Sequence, residues 1–455
     1  MAADITTRSG QRLTRFSLLV GAAAALVGIV YGYDQGSIAG ALLFLRPDFG
    51  LSPFLVSVVV TGVPVGTFFG ALGGGWIANA IGRKRSMLLI ALGYTVFSGL
   101  QGVSTGPWML AAFRFLLGLV VGVSIVAAPQ FIAESVPPHV RGGMLVTFQT
   151  ATNLGVMASY YVGLGLASLQ SWRLILALAA VPGFIAAVVL WRLPDTARWY
   201  LMRGRRAEAE RLLARVEPGQ DPAAQADQIE EDLRVVGSGS YRQLLRPPLS
   251  KAGVFVIGLG FLVQITGINA ITYYSPTILQ SLGFASPTQA LLATALVAIP
   301  GFLAVVTASL LVDRWGRRPT LLSGITTMTV ANALLLLAYM GAPSKLLSVL
   351  GLVLFLIGFN FGYGALVWTY SSESLPAQMR AVGGSALLTA DLFGNVLIGF
   401  FFPNVIVAIG GVGTFAILLA LSVLAFGFVF MLAPETRGRP LESIRVYWEN
   451  GGRWP

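Results

Sequence analysis

Three charged side chains stand well inside long apolar runs of the chain: Asp34, Arg114 and Asp391. A charge near the centre of a bilayer costs about 2.5–3.5 kcal/mol on insertion scales, so each should face a partner or a wet cavity. Asp34 lies in the first apolar run and Arg114 in the fourth, and an arginine stem is long enough to close a modest difference in depth. A carboxylate whose cationic partner can leave takes up a proton in one conformation and releases it in another. The pattern therefore points to proton binding and release. The plainer role is an ion pair that only holds two helices together.

The elements that must position these residues follow from composition. Of 455 residues, 55% are hydrophobic and 11% are charged, against about 25% charged in a soluble domain. Apolar stretches of about 20 residues cross a bilayer as helices. Twelve are expected, at 16–45, 54–79, 86–104, 108–135, 143–168, 173–193, 251–281, 288–312, 320–341, 345–373, 382–410 and 413–433. The first is read as a retained helix, because no small-residue cleavage pattern follows it. Twelve crossings put both termini on one side, and that side holds most of the Lys and Arg: Arg8, Arg12 and Arg15, Arg83-Lys84-Arg85, the 192–251 segment, Arg314, Arg317, Arg318, Arg437 and Arg439. The other side has Arg46, Arg173 and Lys345. The positive-inside rule makes the basic side cytoplasmic. The net charge of +11 is then a topology signal, and a nucleic-acid role is disfavoured.

A short block occurs twice. Glu134-Ser-Val-Pro-Pro-His-Val-Arg141 returns as Glu373-Ser-Leu-Pro-Ala-Gln-Met-Arg380, and Pro194-Asp-Thr returns as Pro434-Glu-Thr. Gly82-Arg-Lys-Arg and Gly316-Arg-Arg-Pro repeat at a similar offset. Repeats in one order mean a duplicated half. The chain is therefore expected to be an all-α membrane protein of two pseudo-symmetric six-helix bundles. The expected division is 1–193, a cytoplasmic helical linker at 194–250, and 251–455 ending in a short tail. In the linker, Arg205, Arg206 and Arg211 alternate with Glu208 and Glu210 at helical spacing, which predicts short amphipathic helices on the membrane surface. Gly66, Gly70, Gly73, Gly74 and Gly75 crowd the second span and suit close helix packing. Two related bundles suggest alternating access to a central site.

Other classes fit poorly. Cysteine is absent and His139 is the single histidine, so neither a metal cluster nor a nucleophile–histidine site is supported. No cofactor motif appears, Gly73-Gly-Gly75 lacks the lysine of a phosphate loop, and an enzyme is not expected. A channel would repeat a filter or charged ring around an axis. A sensor would not need the Asp34/Arg114 pair.

Several motifs in order carry a family likeness: Gly32-Tyr-Asp34, Gly82-Arg-Lys84, Arg114-Phe-Leu-Leu-Gly118, Glu134 with Arg141-Gly142, and Pro194-Asp-Thr-Ala-Arg198-Trp199. Gln264-Ile-Thr-Gly-Ile-Asn269, Asp313-Arg-Trp-Gly-Arg-Arg318, Trp368 with Glu373 and Arg380, and Pro434-Glu-Thr-Arg-Gly438 complete them. Over nearly its whole length the chain resembles the sugar porters of the major facilitator superfamily. The resemblance implies proton-coupled import of a monosaccharide or polyol, with Asp34 and Arg114 as the coupling pair. It implies a substrate site of Gln149, Gln264, Asn269 and Asn395, with Trp368 as an aromatic wall and Tyr273 and Tyr274 at an extracellular gate. Amides both donate and accept, which suits hydroxyl-rich rings, although an intramembrane amide also serves as helix–helix glue. A charge network of Arg83, Glu134, Arg141, Arg198, Asp313, Arg317, Glu373 and Arg380 is expected to latch the cytoplasmic side.

The chain departs from the family pattern in the site itself. Val263 replaces the first of two glutamines, Asp391-Leu392 stands where an amide and an aromatic are usual, and the prolines before Trp368 are missing. Asn79 and Ala80 replace an acidic and a basic residue in the first loop. Asp391 could bind a polyol, a cationic group or a second proton. A different polar or cationic solute, or passive sugar transport, therefore stays open. Arginine far outnumbers lysine and the tails are short, which suggests a prokaryotic inner membrane. A monomer surrounded by lipid is expected.

Overall fold

A computed structural model of the chain describes residues 15–235, 240–341, 344–440 and 443–454. Arg8, Arg12 and the side chains of Arg15 and His139 lie outside the described residues. Five long helices come first: α1 (Arg15–Phe49), α2 (Pro53–Ile81), α3 (Arg83–Gly102), α4 (Pro107–Ser135) and α5 (Pro138–Gly165). The sixth span is α6 (Trp172–Ala177) with α7 (Ala180–Trp191). Four short helices form the connecting segment: α8 (Ala197–Met202), α9 (Arg206–Val216), α10 (Pro222–Val235) and α11 (Tyr241–Leu244). The seventh span is α12 (Ser250–Ile265) with α13 (Ile268–Ser281), followed by α14 (Pro287–Trp315) and α15 (Arg317–Met340). The tenth is α16 (Lys345–Phe359), a π-helical turn at Asn360–Gly364, and α17 (Ala365–Glu373). Then α18 (Arg380–Leu432) carries the last two crossings, and α19 (Ser443–Glu449) follows.

Nine of the described helical stretches are long and apolar enough to cross a membrane. The other three crossings have local explanations. α18 is counted once, yet it turns at Gly410, whose φ of 71° and ψ of 176° are not helical. α3 opens on Arg83-Lys84-Arg85, and α5 carries Arg141, Gln149 and Asn153, so both are less apolar. The chain is a multi-pass helical membrane protein. Several helices outrun the expected spans at their ends, as at Phe49, Arg83, Trp315 and Arg317, while serine caps fix three of the starts. Ser52, Ser286 and Ser344 accept bonds from the third residue on, and Pro53 and Pro287 sit in the first turn, where no N–H is needed.

Glycine sets the closest helix contacts. A Cβ at Gly66 or Gly70 of α2 would strike the Phe115 and Leu119 carbonyls of α4, and Gly118 and Gly122 return the contact. Gly74 also packs on α4, whereas Gly73 and Gly75 are half-exposed. The connecting helices are polar and ion-paired, with Arg206 bonding Glu210 at 2.8 Å and Asp227 at 2.7 Å, and Arg205 bonding Glu208 at 2.5 Å.

The halves meet away from the connecting segment. One apolar cluster joins Leu42, Leu45, Val56 and Val59 of the first half to Ile271, Tyr274 and Phe402 of the second. A separate cluster, built from Val20, Val27, Met87, Phe131 and Leu190, belongs to the first half alone and lies toward the connecting segment. Hydrogen bonds between halves follow the same division. Tyr160 donates to the Thr272 carbonyl at 3.0 Å, and Asn404 donates to Ser57 at 2.9 Å. All four residues lie toward the far ends of their helices. The molecule is thus shut at the end away from the connecting helices.

Candidate functional site

Asp34 on α1 and Arg114 on α4 are both buried, 3% and 2% exposed. Their closest approach is Arg114 Nη1 to Asp34 Oδ1 at 3.8 Å, which is an ion pair without a hydrogen bond. The guanidinium is held elsewhere. Its Nε donates to the Val59 carbonyl of α2 at 2.8 Å, and its Nη1 donates to Gln101 Oε1 of α3 at 3.3 Å. Arg114 is thus fixed by two neighbours while Asp34 merely stands beside it. A carboxylate so placed can lose its partner through a small helix shift. Gln101 was not legible as a site residue. The only signal was an amide within the third span.

The seventh span breaks at Gly267, where φ is 109°, so α12 ends and α13 begins inside the membrane. Gln264 and Asn269 flank the break. Asn269 Nδ2 donates to Gln264 Oε1, and Gln264 Nε2 donates to Asp391 Oδ1 at 2.9 Å. Three predicted site residues therefore form one chain of bonds from α13 through α12 to α18. Close by, Tyr273 donates to Asn395 Oδ1 at 3.3 Å and Tyr274 donates to the Gly399 carbonyl at 3.1 Å. Both tyrosines are buried in the closed far end. Asn395 thereby ties α13 to α18. Gln149 is half-buried on α5 and Trp368 is exposed on α17. Neither joins this chain of bonds among the described residues.

Glu134 faces Arg83, not Arg141: Nη2 donates to Oε1 at 3.1 Å, and Nε stands 3.0 Å from Oε2 as an ion pair. Thr196 donates to the same carboxylate at 2.7 Å. The second half repeats this, with Arg317 donating to Glu373 at 2.9 and 3.0 Å and Thr436 at 2.7 Å. Asp195 accepts from the backbone N–H groups of Arg83 and Lys84, and Glu435 from those of Arg317 and Arg318. Each acid caps a helix whose first N–H groups have no internal partner. Gly82 and Gly316 precede these helices at φ 105° and 100°, and a Cβ there would strike the Asp195 and Glu435 carboxylates.

Arg141 is exposed, Arg198 is half-buried on α8, and Arg380 donates to the Leu375 carbonyl at 3.3 Å. Asp313 joins Arg317 at 3.0 Å. Each cluster therefore binds helices of its own half and does not clasp one half to the other in this conformation. Asp195, Thr196, Glu435 and Thr436 were visible only as a repeat, whose capping role needs the fold.

The pattern for sugar (and other) transporters matches residues 20–448. The galactose-proton symporter of Escherichia coli (strain K12) is 31% identical over 96% of this chain and 95% of its own length. The arabinose-proton symporter of Bacillus subtilis (strain 168) is 31% identical over 95% of each. The inward open conformation of the xylose transporter XylE from E. coli superposes with a TM-score of 0.83, covering 95% of this chain and all of that one, at 23% identity. A proton:xylose symporter XylE bound to 6-bromo-6-deoxy-D-glucose gives 0.76 at 26% identity, over 95% and 99%. The two six-helix bundles seen here are the twelve-helix architecture of that superfamily. The chain belongs to the sugar porter family of the major facilitator superfamily.

Proposed function

We propose that this protein imports a monosaccharide or polyol together with a proton, by alternating access between two six-helix halves, 1–193 and 251–455, with 194–250 as the linker. The observation that carries the reading is the buried Asp34–Arg114 pair, whose members stand 3.8 Å apart while Arg114 is held by Val59 and Gln101. Such a carboxylate binds a proton when its partner is displaced and yields it when the partner returns. The far end is closed by apolar packing, so the conformation described opens toward the linker side. The basic side is cytoplasmic, both termini lie there, and the membrane is a prokaryotic inner membrane. The protein acts as a monomer in lipid, without nucleic acid and without catalysis.

Gln264, Asn269 and Asp391, with Gln149 and Asn395, contact the sugar hydroxyls. Trp368 supplies an apolar wall, and Tyr273 and Tyr274 close the extracellular gate. The helix-terminal charge clusters hold each half rigid as it rocks.

The test is uptake of galactose, arabinose, xylose and simple polyols into proteoliposomes, with and without an inward proton gradient. The expected result is accumulation of at least one of them above the outside concentration only when the gradient is present. Equal uptake with and without the gradient would sink the symport reading.

A further inference from the structure

We infer that Asp391 is a second proton-binding site, occupied whenever the centre closes around an uncharged substrate, so that two protons accompany each sugar. This rests on the symport reading above and adds to it. Asp391 is buried at 6% exposure. It lies about 16 Å along α18 from Arg380, near the middle of a hydrocarbon core about 30 Å thick. Its hydrogen bond comes from the Gln264 amide. No arginine, lysine or histidine among the described residues forms an ion pair with it, in contrast to Asp34. Among the described residues no element brings a cation to ion-pair distance of it, and Arg114, which is within electrostatic reach of Tyr273, stands beside Asp34. α12 presents Gln264, while α1 and α13 present the phenols Tyr31 and Tyr273, which lie within electrostatic reach of both Asp34 and Asp391. Neither α2, α15 nor α17 brings a charged group to it among the described residues.

Local pairing then decides. Arg114 is held beside Asp34 by Val59 and Gln101, so an ionised Asp391 is a buried charge with no cation at ion-pair distance among the described residues. A sugar or polyol cannot offset it. An unpaired buried ion costs several kcal/mol, and protonation removes that cost. The step balances simply: the carboxylate takes a proton from water on the open extracellular side, and the carboxyl returns it to water on the cytoplasmic side. Gln264 links this to the substrate. When a sugar hydroxyl engages the Gln264 amide, Asp391 loses the bond that favours its charged form. Substrate entry and loading of Asp391 are thereby coupled through one side chain.

The experiment is a null-point measurement in proteoliposomes at zero membrane potential, using whichever sugar the uptake panel identifies. With two protons per sugar, a tenfold proton gradient balances about a hundredfold sugar gradient; with one it balances tenfold. Wild type is expected at the hundredfold balance, and Asp391→Asn, transporting more slowly, at tenfold. Proton uptake on sugar binding, read calorimetrically in two buffers of different ionisation heat, gives the same count without requiring transport. In Asp34→Asn one linked proton should remain. A wild-type balance at tenfold overturns the inference and leaves symport standing. An unchanged count in Asp391→Asn, or transport restricted to cationic solutes, also overturns it. Sugar movement with no proton at all defeats the symport reading itself.

Discussion

At the linker end, the first half places Arg83, Glu134, Asp195 and Thr196 in an arrangement that the second half repeats with Arg317, Glu373, Glu435 and Thr436. At mid-membrane the halves share no comparable arrangement among the described residues. The first holds a charge pair on α1 and α4, and the second holds a chain of amides ending in a carboxylate on α18. Helix ends must be capped in both halves whatever is transported, so the duplication persists there. The centre carries no such shared requirement, so the two halves differ there.

The largest expected effect tests the specialised centre. Asp34→Asn should lose one of the two coupled protons, so that a tenfold proton gradient sustains about a tenfold sugar gradient in place of a hundredfold one; a mutant that keeps the wild-type ratio would move coupling out of the first half. Next come the shared helix ends. Gly82→Ala and Gly316→Ala each force a backbone region that side chains rarely adopt, at about 1–3 kcal/mol, and should lower the melting midpoint in detergent by similar amounts. Unequal losses would show that the repeated caps are not equivalent. Glu134→Gln and Glu373→Gln should each cost about 1–2 kcal/mol, below the value for a fully buried pair because both clusters are partly wet. The first should cost more, since the Arg83 side chain is 5% exposed and that of Arg317 is 16% exposed. The smallest effect is expected from Tyr160→Phe, which removes the Thr272 bond between halves, worth about 1 kcal/mol. Because the native chain has no cysteine, labelling of a single introduced far-end cysteine can read the resulting opening.

What was legible in the sequence follows the same division. The spans, the duplication and the charges at Asp34, Arg114 and Asp391 could be read because an apolar run makes any polar residue conspicuous. The bond from Gln264 to Asp391 could not, because it depends on how α12 and α18 rotate against each other, and neither helix records that rotation in its own pattern. Arg83 and Glu134 were both named for the charge network, but their pairing depends on the fold, since Arg83 comes from the start of another helix. Pro194-Asp-Thr read as a mark of repetition, and only the fold makes Asp195 the cap of α3.

The closure at the far end has a thermodynamic corollary. It is largely apolar, built from residues such as Leu45, Val56 and Phe402, so parting it wets hydrocarbon surface and raises the heat capacity of the opened molecule. The balance between the two orientations should then bend with temperature rather than follow a straight van't Hoff line. Cooling should loosen the closed form, and the carrier's resting orientation becomes, in part, a function of the warmth of its membrane.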